Sequence, residues 1–216
     1  MLNNRENNYV IILKQIIKIG DYMLIKIALT TLLTSTFLLA ESGVGLNIND
    51  KDLELEATID SRDLQALQTS STIYQADFNF LNIDEDAKLV GFGIAAANRL
   101  EAVEGVELSF GGKFIWAEVG DNDFTAFPLV ARVHYTFPPL MFNIPPVSLE
   151  GKALYAPKVL SFANSETYQE FRLNAEIEMI KNVKLYTGYR NIHAEYDAVS
   201  QDLFDTGFYG GLRISY

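Results

Sequence analysis

The feature that most constrains this chain is a strict alternation of apolar residues with polar or small ones, repeated in eight segments of its second half and middle. Alternation with a period of two predicts β-strands that are apolar on one face only. The segments are Thr72–Leu81, Lys88–Ala96, Glu107–Trp116, Phe127–Phe137, Val147–Tyr155, Phe171–Met179, Val183–Arg190 and Phe208–Tyr216.

An earlier hairpin precedes these eight segments. Gly43–Ile48 and Leu53–Ile59 flank the turn signal Asn49–Asp52. We therefore predict an all-β fold, an antiparallel transmembrane β-barrel of 8–10 strands over residues 43–216. Either total is even, as in bacterial single-chain barrels. Ten strands are slightly favoured, and the alternative is that the first hairpin is a periplasmic or lumenal element.

The N-terminal residues do not follow the strand pattern. Lys26 precedes an uncharged apolar run, Ile27–Leu39, and small residues around Ala40 offer a cleavage site. This is the pattern of a secretory signal peptide, which we place at residues 23–42. Residues 1–22 are interpreted as an upstream extension, with translation starting at Met23. The alternative is one long basic region followed by an anchor.

Three observations favour a membrane barrel over a soluble β-fold. The signal peptide directs the chain out of the cytoplasm, and the apolar face of the eight later strands carries no charge. Charge on a lipid-facing strand costs about 2–4 kcal/mol at mid-membrane. The last strand also runs to the final aromatic residue, Tyr216. We therefore predict a location in the outer membrane of a Gram-negative bacterium.

Several segments resemble the YfaZ family of outer-membrane proteins over roughly residues 43–216. The resemblance implies an outer-membrane location and a barrel fold, but no established reaction. It is carried by Leu89–Ala95 (LVGFGIA), Phe110–Phe114 (FGGKF), Tyr168–Ile177 (YQEFRLNAEI), Val183–Ile192 (VKLYTGYRNI) and Gly207–Tyr216 (GFYGGLRISY).

The polar face of the predicted strands carries charges of both signs. Opposite charges that face a narrow lumen are expected to pair across it, which predicts a structural barrel with a closed, charge-paired lumen. The alternative is a narrow pore that prefers anions, since four of these bases lie on the C-terminal strands. The predicted network is Glu107, Lys113, Arg132, Glu150, Lys152, Arg172, Glu176, Glu178, Lys184, Arg190 and Arg213.

A third alternative is a lipid-modifying enzyme. His134 and Thr136 share one face and Glu150 is on the polar face of the next strand, which are the residue types of acyl hydrolysis. That face is assigned to the lumen, however, and His193 has no hydroxyl at the matching spacing. The sequence therefore predicts no catalytic residue, cofactor or metal site, and it favours a protein without enzymatic activity.

The expected partners follow from export and from charge. An apolar-faced barrel needs outer-membrane lipid, periplasmic chaperones and the outer-membrane assembly machinery. A net charge of -11 disfavours a nucleic-acid partner, because it repels phosphate. The last strand is predicted to be the assembly signal, through Phe208, Gly210, Leu212, Ile214 and Tyr216.

Deleting Tyr216 is expected to lower the amount of assembled barrel far more than Tyr189→Ala, which changes the same face of the preceding strand. The reason is that only the terminal aromatic belongs to the predicted signal. The measurement is the quantity of folded protein in the outer-membrane fraction. Equal losses from the two variants would argue against a signal at the C-terminus.

Overall fold

A computed structural model describes residues 42–63, 72–83, 87–119, 122–138, 145–163, 165–196 and 203–215. The predicted signal peptide, the predicted start at Met23 and the terminal Tyr216 lie outside these ranges. Among the described residues, no helix is long and apolar enough to cross a membrane.

Within these ranges the chain forms twelve strands joined into one antiparallel sheet. A single turn of 3-10 helix, Ser61–Asp63, follows the second strand, and another, Lys158–Leu160, follows the eighth. The strands are β1 Gly43–Ile48, β2 Asp52–Asp60, β3 Ile73–Ile83, β4 Ala87–Arg99, β5 Val106–Val119, β6 Asn122–Ala126, β7 Leu129–Thr136, β8 Val147–Ala156, β9 Ser161–Ala163, β10 Ser165–Ile180, β11 Val183–Tyr196 and β12 Leu203–Ser215.

The sheet closes on itself, because β1 pairs with both β2 and β12, and β4 pairs with β5. Strands β6 and β7 both pair with β5 and are separated only by Phe127 and Pro128, so they form one interrupted strand of the wall. Strand β9 extends the wall beside β6 in the same way that β8 extends it beside β7. In the described residues the barrel thus has ten wall strands, which confirms the favoured number.

The first hairpin belongs to the barrel wall. Val44 of β1 lies opposite Ile214 of β12, and Leu55 of β2 lies opposite Phe80 of β3. The alternative of a separate periplasmic or lumenal hairpin was therefore wrong. We call the end of the barrel where β1 begins and β12 ends the terminal end, and the opposite end the far end.

Several strands extend beyond the alternating segments at the far end. Strand β3 continues to Ile83, β11 continues to Tyr196, and β12 begins at Leu203, all outside the alternating segments. The reason is that inward side chains at this end are apolar, as at Leu81 and Ile192, while outward ones are polar, as at Asn82 and Glu195. The alternation therefore continues with its two faces exchanged, and a search for strands whose apolar face is continuous ends too early.

The outer surface of the wall is apolar. Phe92, Phe110, Leu173 and Phe208 project outward from four different strands, and their exposed fractions are 55%, 65%, 49% and 77%. In a soluble protein such an extended apolar surface would be unusual. Outward-facing charges in the described strands lie toward the far end, at positions such as Lys88, Glu118, Asp123 and Glu195.

Candidate functional site in the barrel lumen

The far end of the lumen is filled by an apolar cluster, the far-end cluster. Its aromatic members Phe124 and Tyr168 are completely buried, and their ring centroids lie 5.6 Å apart. Side chains from eight strands contribute to it, so it packs like a small protein core. Its buried members are Leu81, Ala87, Leu89, Ile115, Ala117, Phe124, Ala126, Val130, Leu154, Ala156, Tyr168, Ile192 and Ala194.

The middle of the lumen is organised around Glu54 of β2, whose exposed fraction is 0%. Arg172 of β10 donates to both of its oxygens, from Nη1 at 2.8 Å and from Nη2 at 2.9 Å. Arg190 of β11 donates from Nη1 at 2.7 Å. Two arginines of the C-terminal strands therefore meet on one carboxylate of the first hairpin.

Two amides complete the shell of Glu54. Asn47 of β1 and Asn79 of β3 each donate from Nδ2 at 2.9 Å. A carboxylate has about four lone-pair sites, and five donor contacts reach this one. Glu54 is therefore fully satisfied as an anion, which is the condition for keeping a buried charge in a folded protein. We call Glu54 with its two arginines and two amides the Glu54 node.

Further carboxylates surround the two arginines of the node. Arg190 also contacts Asp52, at 3.0 Å, and Asp205. Arg172 also contacts Glu56, at 3.0 Å, and Glu170. Glu170 accepts a hydrogen bond from the hydroxyl of Tyr168 at 2.5 Å, and this contact joins the Glu54 node to the far-end cluster.

The terminal end of the lumen holds a cavity of about 730 Å³, the terminal-end cavity. Ion pairs line its wall, including Lys113 with Asp77 at 2.5 Å and Arg213 with Glu176 at 2.6 Å. Other pairs in the wall are Arg62–Asp60 at 2.7 Å, Arg62–Glu107 at 3.2 Å, Arg132–Glu150 at 3.7 Å and Lys184–Glu176 at 3.8 Å.

Glycines on the inner face make room for this crowded interior. At Gly188 a β-carbon would lie 2.6 Å from the ring of Tyr209, whose hydroxyl bonds Asn174. At Gly93 a β-carbon would lie 2.6 Å from the carboxylate of Asp77. Both distances are shorter than real contacts, so the large neighbours fit only because these positions lack a side chain.

The eleven residues of the predicted network all lie on inward-facing positions of their strands. Nine of them form ion pairs with described residues. Glu178 instead accepts a hydrogen bond from the backbone of Asn182 at 3.4 Å. The ammonium group of Lys152 has no hydrogen bond or ion pair with any residue in the described ranges.

Sequence reasoning missed several members of the lumen. Most belong to β2, whose assignment to the wall was left open. Their signal was present, since acidic residues and Thr58 alternate along β2 with Leu53, Leu55, Ala57 and Ile59. The missed charged members are Asp52, Glu54, Glu56, Asp60, Arg62, Glu170 and Asp205.

The candidate hydrolytic residues come together only in part. Thr136 Oγ1 lies 3.2 Å from His134 Nε2, but Glu150 lies 3.9 Å from His134 Nδ1, which is beyond hydrogen-bond distance. Glu150 contacts Arg132 at 3.7 Å and Asn174 at 3.4 Å instead. These contacts do not form the continuous relay that activates a hydroxyl nucleophile.

The second histidine has a hydroxyl nearby that its own strand does not supply. His193 faces outward on β11 and lies 3.3 Å from Glu195, which accepts a hydrogen bond at 3.0 Å from Thr167 of β10. Both groups contact the same carboxylate, so this arrangement too differs from a nucleophile–base pair.

A closed antiparallel barrel with an apolar exterior and a polar, charged interior is the architecture of an outer-membrane β-barrel protein. The model of the YfaZ precursor family matches residues 25–216. The chain belongs to the YfaZ family, as the resemblance of its segments implied.

Solved structures show similar folds at low sequence identity. The outer membrane channel DcaP of Acinetobacter baumannii matches with a TM-score of 0.38 and 13% identity, over 80% of this chain and 54% of that one. This chain thus spans about half the length of that channel. A bacterial polysaccharide outer membrane secretin matches with a TM-score of 0.39 and 8% identity, over 81% and 69%. No curated protein sequence matches the chain.

Glu54→Gln is expected to lower the free energy of unfolding by about 3–5 kcal/mol, because it leaves two buried guanidinium groups facing a neutral amide. Urea unfolding from lipid vesicles measures this change. The control is Glu166→Gln, which breaks an exposed ion pair with Lys158 (2.8 Å) and should cost about 0–1 kcal/mol. Similar losses for both variants would show that Glu54 contributes no more to the free energy of unfolding than an exposed ion pair does.

Proposed function

We propose that this protein is a structural barrel of the outer membrane of a Gram-negative bacterium and that its lumen does not conduct solutes. The observation that carries the proposal is the occupation of the lumen at two successive levels. The far-end cluster fills one level and the Glu54 node fills the next.

A barrel of ten strands needs large inward side chains to fill its lumen. Barrel diameter grows with strand number, so ten strands enclose more space than the eight that side chains just fill. Here the additional space is taken up by large inward side chains. Arg190 is among the most completely buried side chains, and Arg172, Tyr186 and Tyr209 are 3%, 5% and 4% exposed.

The contacts of the bases argue against the alternative of an anion-preferring pore. Such a pore needs cationic side chains that are free to attract ions along a continuous path. Arg172, Arg190 and Arg213 each contact two or more carboxylates, and Lys184 lies 3.8 Å from Glu176. Their charge is neutralised locally, which favours a structural role.

Assembly partners form the second part of the proposal. Phe208, Gly210, Leu212 and Ile214 occupy outward positions of β12, where lipid or the assembly machinery can contact them. Periplasmic chaperones are expected to hold the same apolar face before insertion. Both chain ends are proposed to face the periplasm, which places the terminal-end cavity on that side of the membrane.

Planar-bilayer recording is expected to show no steady currents of porin size from the wild-type protein, because we propose that the far-end cluster and the Glu54 node together block a continuous water path. The inserted sample is first shown to be folded by faster migration of unheated than of boiled protein on a detergent gel. Boiled protein is the control for leakage caused by detergent. Steady single-channel steps from folded protein, with a reversal potential that favours anions, would support the pore instead.

A further inference from the structure

Three basic residues form a lateral row on the inner wall. In the pairing of β7, β8 and β10, Lys152 lies directly opposite Arg132 on one side and directly opposite Arg172 on the other. Directly opposite residues of antiparallel strands have Cα atoms about 4.5–5.5 Å apart, and like charges in such positions destabilise a sheet. The row therefore requires negative charge to offset it.

The two outer members of the row obtain that charge from the protein. Arg172 contacts Glu54, Glu56 and Glu170. Arg132 lies 3.7 Å from Glu150 and also donates to the side chain of Gln75. Both arginines are thus held by groups on neighbouring strands.

The middle member of the row makes no direct contact of this kind. Lys152 is half-buried, and its ammonium group forms no hydrogen bond or ion pair with the described residues; Asp77, Glu150 and Glu170 interact with it electrostatically at longer range. Of its acidic neighbours, Asp77 is bound by Lys113 at 2.5 Å and Glu150 is shared by Arg132 and Asn174. An ammonium group has three donors, and those of Lys152 adjoin the terminal-end cavity, which this residue lines.

The cavity itself is not dominated by acidic charge. Six of the carboxylates that line it already lie within 4 Å of an arginine or lysine, so their charge is largely offset. They are Glu56, Asp60, Asp77, Glu107, Glu150 and Glu176. Lys152 and Arg99 are the bases, among the described residues that line the cavity, that make no ion pair within 4 Å, and Lys152 is the one that lies between two other bases.

We propose that Lys152, with Arg132 beside it, forms a binding site for a small water-soluble oxyanion, a phosphate or carboxylate compound, in the terminal-end cavity. Lysine supplies a point charge and arginine a planar pair of donors, a combination suited to both anion types. A volume of about 730 Å³ lies within the usual range for small-molecule sites. The site needs access from one end only, so it is independent of whether the barrel conducts.

Isothermal titration calorimetry of the folded protein in nonionic detergent, at low chloride, tests the site with inorganic phosphate and with citrate as probes. The wild type is expected to bind at least one of them saturably, at one per barrel. Lys152→Gln should weaken that binding about tenfold or more, as expected for loss of a charged hydrogen bond. Lys152→Arg should retain it.

Lys184→Gln is the matched control, because Lys184 lines the same cavity but lies beside Glu176. It should change the affinity by less than about twofold. A second readout is thermal: phosphate or citrate should raise the unfolding temperature of the wild type and leave that of Lys152→Gln unchanged. Absence of saturable binding by the wild type, or equal loss in the two glutamine variants, would overturn the proposal. Neither result depends on the conductance of the barrel.

Discussion

The contact between Glu54 and the two arginines Arg172 and Arg190 is the interaction on which the rest of the structure depends. It joins positions separated by 118 and 136 residues in the chain, and it spans the lumen from the first hairpin to the C-terminal strands. A shift of one residue in the register of β2 would turn Glu54 toward lipid and leave both arginines unpaired. The node therefore specifies register as well as closure.

In a barrel whose exterior faces lipid, the contacts that specify the fold lie in the interior. The outer side chains remain in an apolar environment whether or not they contact protein, so specificity has to come from the interior. Here the interior combines the apolar far-end cluster with charged groups whose partners lie on other strands. Tyr168 belongs to both, since its ring packs in the cluster and its hydroxyl donates to Glu170. The inner glycines, such as Gly188, give these large groups their room.

The fold could be predicted because alternation reports which face of a strand meets lipid, and that pattern persists from β3 to β12. The pairing of charges inside the lumen could not be predicted, because several carboxylates lie at inward positions within reach of each base. Glu54 was missed because the wall position of β2 was left open, and Asp205 because it lies before the last alternating segment, which begins at Phe208. The far-end cluster was missed for a different reason: at that end the apolar residues lie on the inward face and the polar ones on the outward face, so the pattern is the reverse of the one the prediction followed.

The most direct test of this account is a disulfide across the seam between the first and last strands, Val44→Cys with Ile214→Cys, in a chain that has no other cysteine. These positions lie directly opposite each other, a spacing that a disulfide can bridge. The account predicts that the folded barrel forms this bond on oxidation. The reason is that β2 can bring Glu54 to its arginines only if β1 pairs with β12. Failure of this pair, together with cross-linking of position 214 to Ala76→Cys on β3, would show an eight-stranded barrel and contradict it.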